Sequence, residues 1–204
     1  TILFELNGIF TCSYTFGHPV MHPEKLYPKS AKDYISLLKS KKVILDSKER
    51  ENIIWTSANK LVEETNLCIL KDDDLLSEIA GLVEWPVVMI GNIDKEFFAL
   101  PAEILQVSMR EHQKFFSVLS TDKRKIIKFI VVSNLEATDN GKLVLEGNAR
   151  VLRSRLRDAN FFYEKDLADV ENKKFSGLNT RLENVTFHNK IGSQADRVSG
   201  IRKI

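Results

Sequence analysis

The feature that most constrains the fold of this sequence is a long stretch of helical periodicity late in the chain. Apolar residues recur there at spacings of four, three, four and three: Leu145, Ala149, Leu152, Leu156 and Ala159. This pattern places them in a narrow apolar seam on one side of a helix. We predict one helix from about Leu143 to Tyr163. Its seam must be buried, so the chain needs a second layer of structure for the helix to pack on.

The preceding part of the chain can supply that layer, because it mixes short apolar runs with amphipathic helical stretches. Strands are predicted at 42–46, 87–90, 115–119 and 126–132, and the last two flank the polar turn 120–125 as in a hairpin. Helices are predicted at about 31–39, 47–65, 75–84 and 101–113. Hairpins fit this order better than repeated crossover units. The expected fold class is therefore α+β, with a mixed or antiparallel sheet and packed helices.

The change to helical patterns after about Thr138 predicts a domain boundary. We expect an α+β core domain over 1–137 and a helical extension over 138–204, with shorter helical pieces around 178–185 and 196–204. At the other end of the chain, apolar alternation before Asn7-Gly8 predicts a strand that enters a turn.

Local signals predict where two of the helices begin. Ser30 precedes the helix at 31–39 and is a favoured N-cap residue. The run Asp72 to Asp74 places negative charge at the next-but-one helix start, where exposed backbone N–H groups favour it. A metal site would need further oxygen ligands around these carboxylates. We therefore interpret the acidic run as helix capping.

Charge is distributed unevenly along the chain. The formal net charge of +2 is too small to indicate a nucleic-acid binder, because phosphate-driven affinity requires clustered cations. Residues 46–84 carry ten acidic and four basic side chains, whereas residues 148–157 carry four arginines and no acid. The basic charge that could meet a polyanion is thus concentrated on the long helix.

Helical geometry divides these four arginines between two sides. At 100° per residue, Arg150, Arg153 and Arg157 share a stripe beside the apolar seam, and Arg155 falls on the other flank. Guanidinium groups match phosphate oxygens, so the stripe is a candidate contact for an RNA backbone or an acidic partner surface. The alternative is a solvated, self-paired face, in which Glu146 pairs with Arg150 four residues later.

The sequence contains no motif that predicts a catalytic or metal-binding residue. It has no phosphate loop, no GxGxxG and no GxSxG, and Cys12 and Cys68 are too far apart for a zinc motif. His18 and His22 flank prolines instead of sharing a helix face. We expect His112 to be partly buried on the apolar face of its helix. The residues alone thus predict a binding or scaffold module that holds no cofactor.

The sequence also gives no sign of membrane association. No apolar stretch approaches the roughly 18 residues needed to span a bilayer, and the first residues lack the basic start and apolar block of a signal peptide. We therefore expect a cytoplasmic location and no membrane partner.

Several segments resemble the β subunit of bacterial glycyl-tRNA synthetase. Residues 82–118 contain an EWP turn, then LP, then MREHQKFF, and residues 146–166 read EGNARVLRSRLRDANFFYEKD. The segments 131–135 (VVSNL) and 182–198 (LENVTFHNKIGSQADRV) resemble the same family in order and spacing. Within MREHQKFF, Arg110 and Lys114 join the three arginines of the stripe as candidate tRNA or subunit contacts.

The resemblance implies a tetramer of two α and two β subunits that joins glycine to tRNA(Gly) using ATP. In that family the α subunit holds the catalytic core and uses ATP with Mg, while the β subunit supplies assembly surfaces and tRNA recognition. Partners would be the α subunit, a second β subunit and tRNA(Gly). The sheet-containing part would be a B3/4-type domain, and the chain would stop before the family's HD-type domain.

Two other functions stay open at this point. B3/4-type domains in some relatives edit mischarged tRNA, so a hydrolytic editing module is the first alternative. Glycine is the smallest amino acid, which gives a size-based sieve less obvious use here. The second alternative is a purely structural RNA-binding or protein-binding module.

Overall fold

The computed structural model describes residues 4–122, 124–171 and 180–203. Helices and small antiparallel sheets make up the fold, which confirms the predicted α+β class. Contacts divide the chain into two compact units, Thr1–Leu156 and Arg157–Ile204. This division falls inside the last long helix. The domain boundary near residue 138 rests on the change of sequence pattern and stays a prediction.

The secondary structure of the described residues is as follows. The helices are α1 (Ala31–Ser40), α2 (Ser47–Val62), α3 (Asp73–Leu82), α4 (Ala102–Gln113), α5 (Lys142–Glu171) and α6 (Gln194–Ile201), with 3-10 turns at Lys95–Ala99 and Leu182–Asn184. The strands are β1 (Glu5–Leu6), β2 (Ile9–Phe10), β3 (Thr15–Phe16), β4 (Lys25–Leu26), β5 (Cys68–Ile69), β6 (Val87–Asn92), β7 (Phe116–Leu119), β8 (Ile126–Ser133), β9 (Thr186–His188) and β10 (Gly192–Ser193).

A four-stranded antiparallel sheet forms the centre of the first unit, in the order β5-β7-β8-β6. The predicted hairpin is confirmed as β7 and β8, in which Phe116 pairs with Ile130. One face of the sheet packs on α2 and α3, where the buried core includes Ile54, Ala58, Leu75, Ile79, Val118 and Ile130. On the other face, the ring of Phe129 stacks on that of Phe115 with a centroid separation of 5.0 Å. Both faces of the sheet are therefore covered.

Three helices of this unit begin at side-chain caps. The Ser30 hydroxyl accepts a hydrogen bond from the Asp33 backbone N–H at 3.1 Å, as predicted. Asp46 caps α2, and Asp72 caps α3 by accepting from the Leu75 N–H at 2.9 Å. The interpretation of the acidic run as helix capping is thus confirmed.

The strand predicted at 42–46 is wrong. Val43 and Ile44 are buried, as an apolar run should be, but they lie in the connection between α1 and α2. The Val43 N–H closes the end of α1 on Leu38 O, and the Ile44 N–H donates to Glu84 O at 3.0 Å. The apolar side chains are buried here although the segment makes only one backbone hydrogen bond to a neighbouring segment and belongs to no strand ladder.

Two small hairpins precede α1. In the first, β1 and β2 are joined at Asn7 (φ 51°) and Gly8 (φ 80°), the positive φ values that a tight hairpin turn requires. The turn predicted at Asn-Gly is therefore confirmed. Strands β3 and β4 form the second hairpin.

The long helix α5 exists as predicted and extends further at its C-terminal end. Asp139 accepts hydrogen bonds from the N–H groups of Gly141 and Leu143 at its start. Leu152 and Leu156 of the predicted seam are buried in the first unit, where they pack beside Ile93 and Phe97 with a residual space of only about 10 Å³. The apolar seam therefore identifies the packed side of α5 correctly.

The second unit contains the end of α5 and a small α/β segment. Strands β9 and β10 pair antiparallel, and α6 begins at a capping box formed by Ser193 and Asp196. A helix near 196–204 is confirmed. The piece predicted around 178–185 lies partly outside the described residues. Its described part is α-helical at 180–181 and continues as the 3-10 turn Leu182–Asn184. No helix in the described ranges is both long and apolar enough to cross a membrane.

Candidate functional site

Arg153, the middle arginine of the stripe, fastens α5 to the chain segment that follows β6. Its Nε donates to Asp94 Oδ2 at 2.5 Å and its Nη2 donates to Asp94 Oδ1 at 3.4 Å. The hydrogen bond to Asp94 and the charge of that carboxylate raise the pKa of Arg153. Its first role is thus intramolecular. The pair is partly exposed, so a polar ligand could still reach its outer edge.

The other two arginines of the stripe are exposed. Arg150 has no ion pair with Glu146, so the self-paired arrangement of these two described residues does not form. Arg157 is exposed but already interacts with another group. Arg155, on the other flank, is exposed as well. Arg150 is therefore the member of the stripe that is best placed to bind an external anion.

Arg110 and Lys114 both connect α4 to α3. Arg110 Nε donates to Asp72 Oδ2 at 2.6 Å, and Arg110 also pairs with Glu111. Lys114 ends α4 in the left-handed conformation (φ 55°), and its Nζ lies 2.8 Å from Glu78 Oε1. Their role as tRNA or subunit contacts stays a prediction, since both charges are already balanced by carboxylates of α3 or α4.

Asp72 has two functions in this arrangement, as the N-cap of α3 and as the partner of Arg110. Burial acts to raise the pKa of the Asp72 carboxyl. The hydrogen bonds from Arg110 and from the Leu75 N–H, with the positive charge of Arg110, outweigh burial and lower that pKa below its usual range.

Asp72→Ala is expected to lower the free energy of unfolding by about 1–2 kcal/mol near neutral pH, because it removes the cap together with the ion pair. Asp72→Asn, the matched control, keeps a capping oxygen and is expected to lose less. The folded-state pKa is lowered, so the carboxylate stabilises above the unfolded pKa of about 4, and this contribution is lost as the pH falls through the folded value. Urea denaturation of both variants between pH 2 and 7 measures the free energy of unfolding at each pH. If Asp72→Ala lost the same free energy at pH 7 and at pH 2, the stabilising role of the carboxylate would be contradicted.

The three histidines considered from the sequence, His18, His22 and His112, do not form a metal-binding cluster. His18 is buried, its Nδ1 accepts hydrogen bonds from the Val20 and Met21 N–H groups, and its Nε2 has no partner among the described residues. His22 lies 3.4 Å from Glu24. His112 is exposed, so its predicted partial burial is wrong: it lies in the last turn of α4, just before the chain reverses at Lys114. The described residues contain no group of three side chains that could hold a metal ion.

The protein family is decided by comparison with family models. The model described as "Glycyl-tRNA synthetase beta subunit" matches residues 1–204. The chain belongs to this family. The resemblance of its EWP, MREHQKFF and arginine-rich segments to the glycyl-tRNA synthetase β subunit is thereby confirmed.

Curated relatives agree over nearly the whole chain. The glycine–tRNA ligase beta subunit of Ruegeria sp. (strain TM1040) is 47% identical over 198 residues, which cover 97% of this chain and 29% of the relative. The proteins of the same name from Cereibacter sphaeroides (strain ATCC 17029 / ATH 2.4.9) and Rhodospirillum centenum (strain ATCC 51521 / SW) are 45% and 41% identical. They are covered to 29% and 26% of their length, against 98% and 93% of this chain. The chain thus spans less than a third of each of these relatives.

Two segments that carry the family resemblance contact each other in the fold. Asn134 Oδ1, from VVSNL, accepts hydrogen bonds from the N–H groups of Glu84 and Trp85 in the EWP turn. Glu136 accepts from Trp85 Nε1 at 2.7 Å and from Lys42 Nζ at 2.9 Å. The hydrogen bond from Lys42, then that from Trp85, lowers the pKa of the Glu136 carboxyl. Both motifs are visible in the sequence, but their contact spans about fifty residues and no local pattern predicts it.

A cavity of about 330 Å³ lies where the ends of α3 and α4 meet the start of α5. Its lining is mainly apolar, with polar groups from Gln113, Lys114, Ser133 and Asn148. No carboxylate, histidine or cysteine is among these lining residues. The cavity therefore offers no carboxylate, imidazole or thiol for the hydrolytic editing alternative, and its one charged lining residue, Lys114, is paired with Glu78.

Proposed function

We propose that this chain is a noncatalytic part of a bacterial glycyl-tRNA synthetase β subunit. It supports the ATP-dependent attachment of glycine to tRNA(Gly) through tRNA contact and subunit assembly in the cytoplasm. Glycine, ATP and Mg bind the α subunit in this proposal, and the partners are the α subunit, tRNA(Gly) and a second β subunit. The match of the family model to residues 1–204 supports the assignment to this enzyme.

The observation that carries the tRNA contact is the way α5 is held. Leu152 and Leu156 bury one side of the helix, and the Arg153–Asp94 ion pair fixes its rotation. Arg150 lies one turn before Arg153 and is exposed to solvent. Because the rotation of the helix is fixed, Arg150 stays on its exposed side. A preordered guanidinium loses less entropy when it binds a phosphate than one on a mobile segment would. RNA backbone is the ligand that this arrangement fits best.

Arg150→Ala is expected to weaken binding of a tRNA(Gly) transcript several-fold at moderate salt. One lost phosphate contact should also reduce the slope of log affinity against log salt by roughly one. Fluorescence anisotropy titrations of labelled tRNA at several KCl concentrations measure both quantities. Arg150→Lys, which keeps the charge but not the planar fork, is expected to recover part of the affinity.

The matched control is Lys32→Ala, which removes one exposed cation from α1. Its affinity and salt slope should equal those of the unchanged chain. If Arg150→Ala behaved like Lys32→Ala, direct contact through the stripe would be ruled out. Absence of any tRNA binding by the unchanged chain would leave assembly as the role of this part of the β subunit.

A further inference from the structure

The hairpin formed by β3 and β4 has one buried face and one open face. Phe16 of β3 pairs with Lys25 of β4, and the next residue of β4, Leu26, is buried. Leu26 packs in a small core with Leu38 of α1 and Val43 of the connection after it. Because side chains alternate along a strand, Phe16 and Lys25 lie on the face away from this core. One face therefore anchors the hairpin, and the other is open to a ligand.

Three aromatic rings and one ammonium group occupy the open face. The centroid of the Tyr14 ring lies 5.7 Å from that of Phe16, in an edge-to-face arrangement, and 6.2 Å from that of Tyr27. Lys25 Nζ lies 4.2 Å from the centroid of the Tyr14 ring. These contacts show that the four side chains share one face. We call it the aromatic platform; its members are Tyr14, Phe16, Lys25 and Tyr27.

The two outer rings of the aromatic platform are exposed to solvent. Phe16 is 51% exposed and Tyr27 is 62% exposed, whereas Tyr14, which both of them contact, is partly buried. A single exposed ring is ordinary on a protein surface. Rings that are grouped on one anchored face form an exposed apolar patch, which is typical of a binding site. The hairpin therefore presents a preformed site for a flat apolar ligand.

The charge on the aromatic platform favours an anionic ligand. Lys25 is exposed, and in the part of the chain that the structure describes its ammonium group contacts the Tyr14 ring and forms no salt bridge. The adjacent carboxylate, Glu24, is paired with Lys41 Nζ at 2.9 Å and lies 3.4 Å from His22 Nδ1. Its charge is thus already balanced. The platform combines aromatic faces with a positive charge that can meet a phosphate.

Unpaired nucleotides fit this combination of groups best. Their bases stack on aromatic side chains, and a cation beside the rings can contact the phosphates that link them. A proline-rich peptide also packs on aromatic rings, but it carries no charge for Lys25 to pair with. An aliphatic partner surface is disfavoured as well, because the platform contains no aliphatic side chain other than the stem of Lys25.

We propose that the aromatic platform binds unpaired nucleotides of an RNA, with bases stacked on Phe16 and Tyr27 and a phosphate paired with Lys25. This inference rests on the proposed function, since the RNA expected is tRNA(Gly). A tRNA offers unpaired nucleotides in its loops and at its 3′ end. Stacking accepts every base, so the platform holds RNA without reading its sequence.

The first test removes both outer rings from the 204-residue chain. Phe16→Ala/Tyr27→Ala is expected to bind a short unpaired RNA oligonucleotide at least about tenfold more weakly, because each stacked base contributes several-fold in affinity. The slope of log affinity against log salt should stay unchanged, since no charge is removed. Fluorescence anisotropy titrations at several KCl concentrations measure both quantities, and thermal melts confirm that the variant is folded.

The matched control is Phe187→Ala. Phe187 is 40% exposed, and its ring also contacts a cation, since Arg197 Cζ lies 4.6 Å from its centroid. Phe187 belongs to no group of rings among the described residues. Its removal should leave the affinity for the oligonucleotide within about twofold of that of the unchanged chain.

Single substitutions separate base stacking from general apolar contact. Tyr27→Phe keeps the aromatic ring and should keep the affinity within about twofold. Tyr27→Leu keeps an apolar side chain but removes the aromatic face, so it should lose affinity several-fold. Lys25→Ala should weaken binding and reduce the salt slope by roughly one. Equal affinities of Tyr27→Phe and Tyr27→Leu would overturn stacking on this ring.

The platform and the proposed function fail in different ways. If Phe16→Ala/Tyr27→Ala binds the oligonucleotide and a tRNA(Gly) transcript as well as Phe187→Ala does, while Arg150→Ala loses affinity for tRNA, the platform is not an RNA site and the proposed function stands. If the unchanged chain binds neither RNA at any salt concentration, both fail. If poly-L-proline binds more tightly than the oligonucleotide and is lost in the same variants, the ligand is a proline-rich peptide and the RNA assignment is overturned.

Discussion

Phe129→Ala is expected to lower the free energy of unfolding by about 3–5 kcal/mol, the range for removing a buried aromatic ring. Phe129 is fully buried at the centre of β8, stacked on Phe115 and lying over Gly91 of the paired strand. Deleting the ring leaves a cavity on the sheet face that does not contact α2 and α3. Urea denaturation followed by circular dichroism measures the loss.

A double mutant gives this prediction a sharper form. A Cβ added at Gly91 would lie 2.3 Å from the Phe129 ring, so Gly91→Ala alone should be strongly destabilising. In the Phe129→Ala background the same methyl group enters the empty space. We expect Gly91→Ala to cost clearly less there, which gives a favourable coupling energy. Additive losses would show that the ring and the glycine are not matched to each other, and Phe129→Leu should lose less than Phe129→Ala.

Local chemistry explains which parts of the fold the sequence predicts well. Ser30 and Asp72 cap helices with their own side chains, and Asn7-Gly8 adopts the positive φ values of its turn. Each of these depends on residues within three or four positions along the chain. The β7–β8 hairpin and the seam of α5 are predictable for a related reason, because the period of the apolar residues differs between strand and helix.

Predictions fail where a distant partner decides the outcome. Val43 and Ile44 are residue types that favour strands, and a strand is predicted there. In the fold they are buried in a connection whose bond to the neighbouring segment is a single one, from the Ile44 N–H to Glu84 O. His112 shares a helical spacing with Met109, but α4 ends before any element covers it. Burial depends on which neighbours the tertiary fold supplies, and periodicity does not contain that information.

The arginines of α5 show the same contrast between what local sequence predicts and what distant partners decide. Helical geometry correctly groups Arg150 with Arg153, but it cannot distinguish the arginine that pairs inside the protein from the one that faces solvent. That distinction depends on Asp94, which is 59 residues away in the sequence. Charge patterns along a chain therefore indicate candidate binders, and the ion pairs of the fold select among them.

Leu152→Ala is expected to lower the free energy of unfolding by about 2–5 kcal/mol. Leu152 is 2% exposed and packs in the tight contact between α5 and the segment that contains Ile93 and Phe97. The residual space there is only about 10 Å³, so the neighbours have little room to collapse into the new cavity. Chemical denaturation monitored by circular dichroism provides the measurement.

The same helix offers a matched control for this substitution. Val151 is 46% exposed, so Val151→Ala should change the free energy of unfolding by no more than about 0.5 kcal/mol. Leu152→Met, which conserves volume, should cost less than about 1.5 kcal/mol. If α5 must be anchored to present Arg150, Leu152→Ala should also weaken tRNA binding under conditions in which the chain is still folded. A stability loss equal to that of Val151→Ala would mean that the apolar seam does not hold α5 on the first unit.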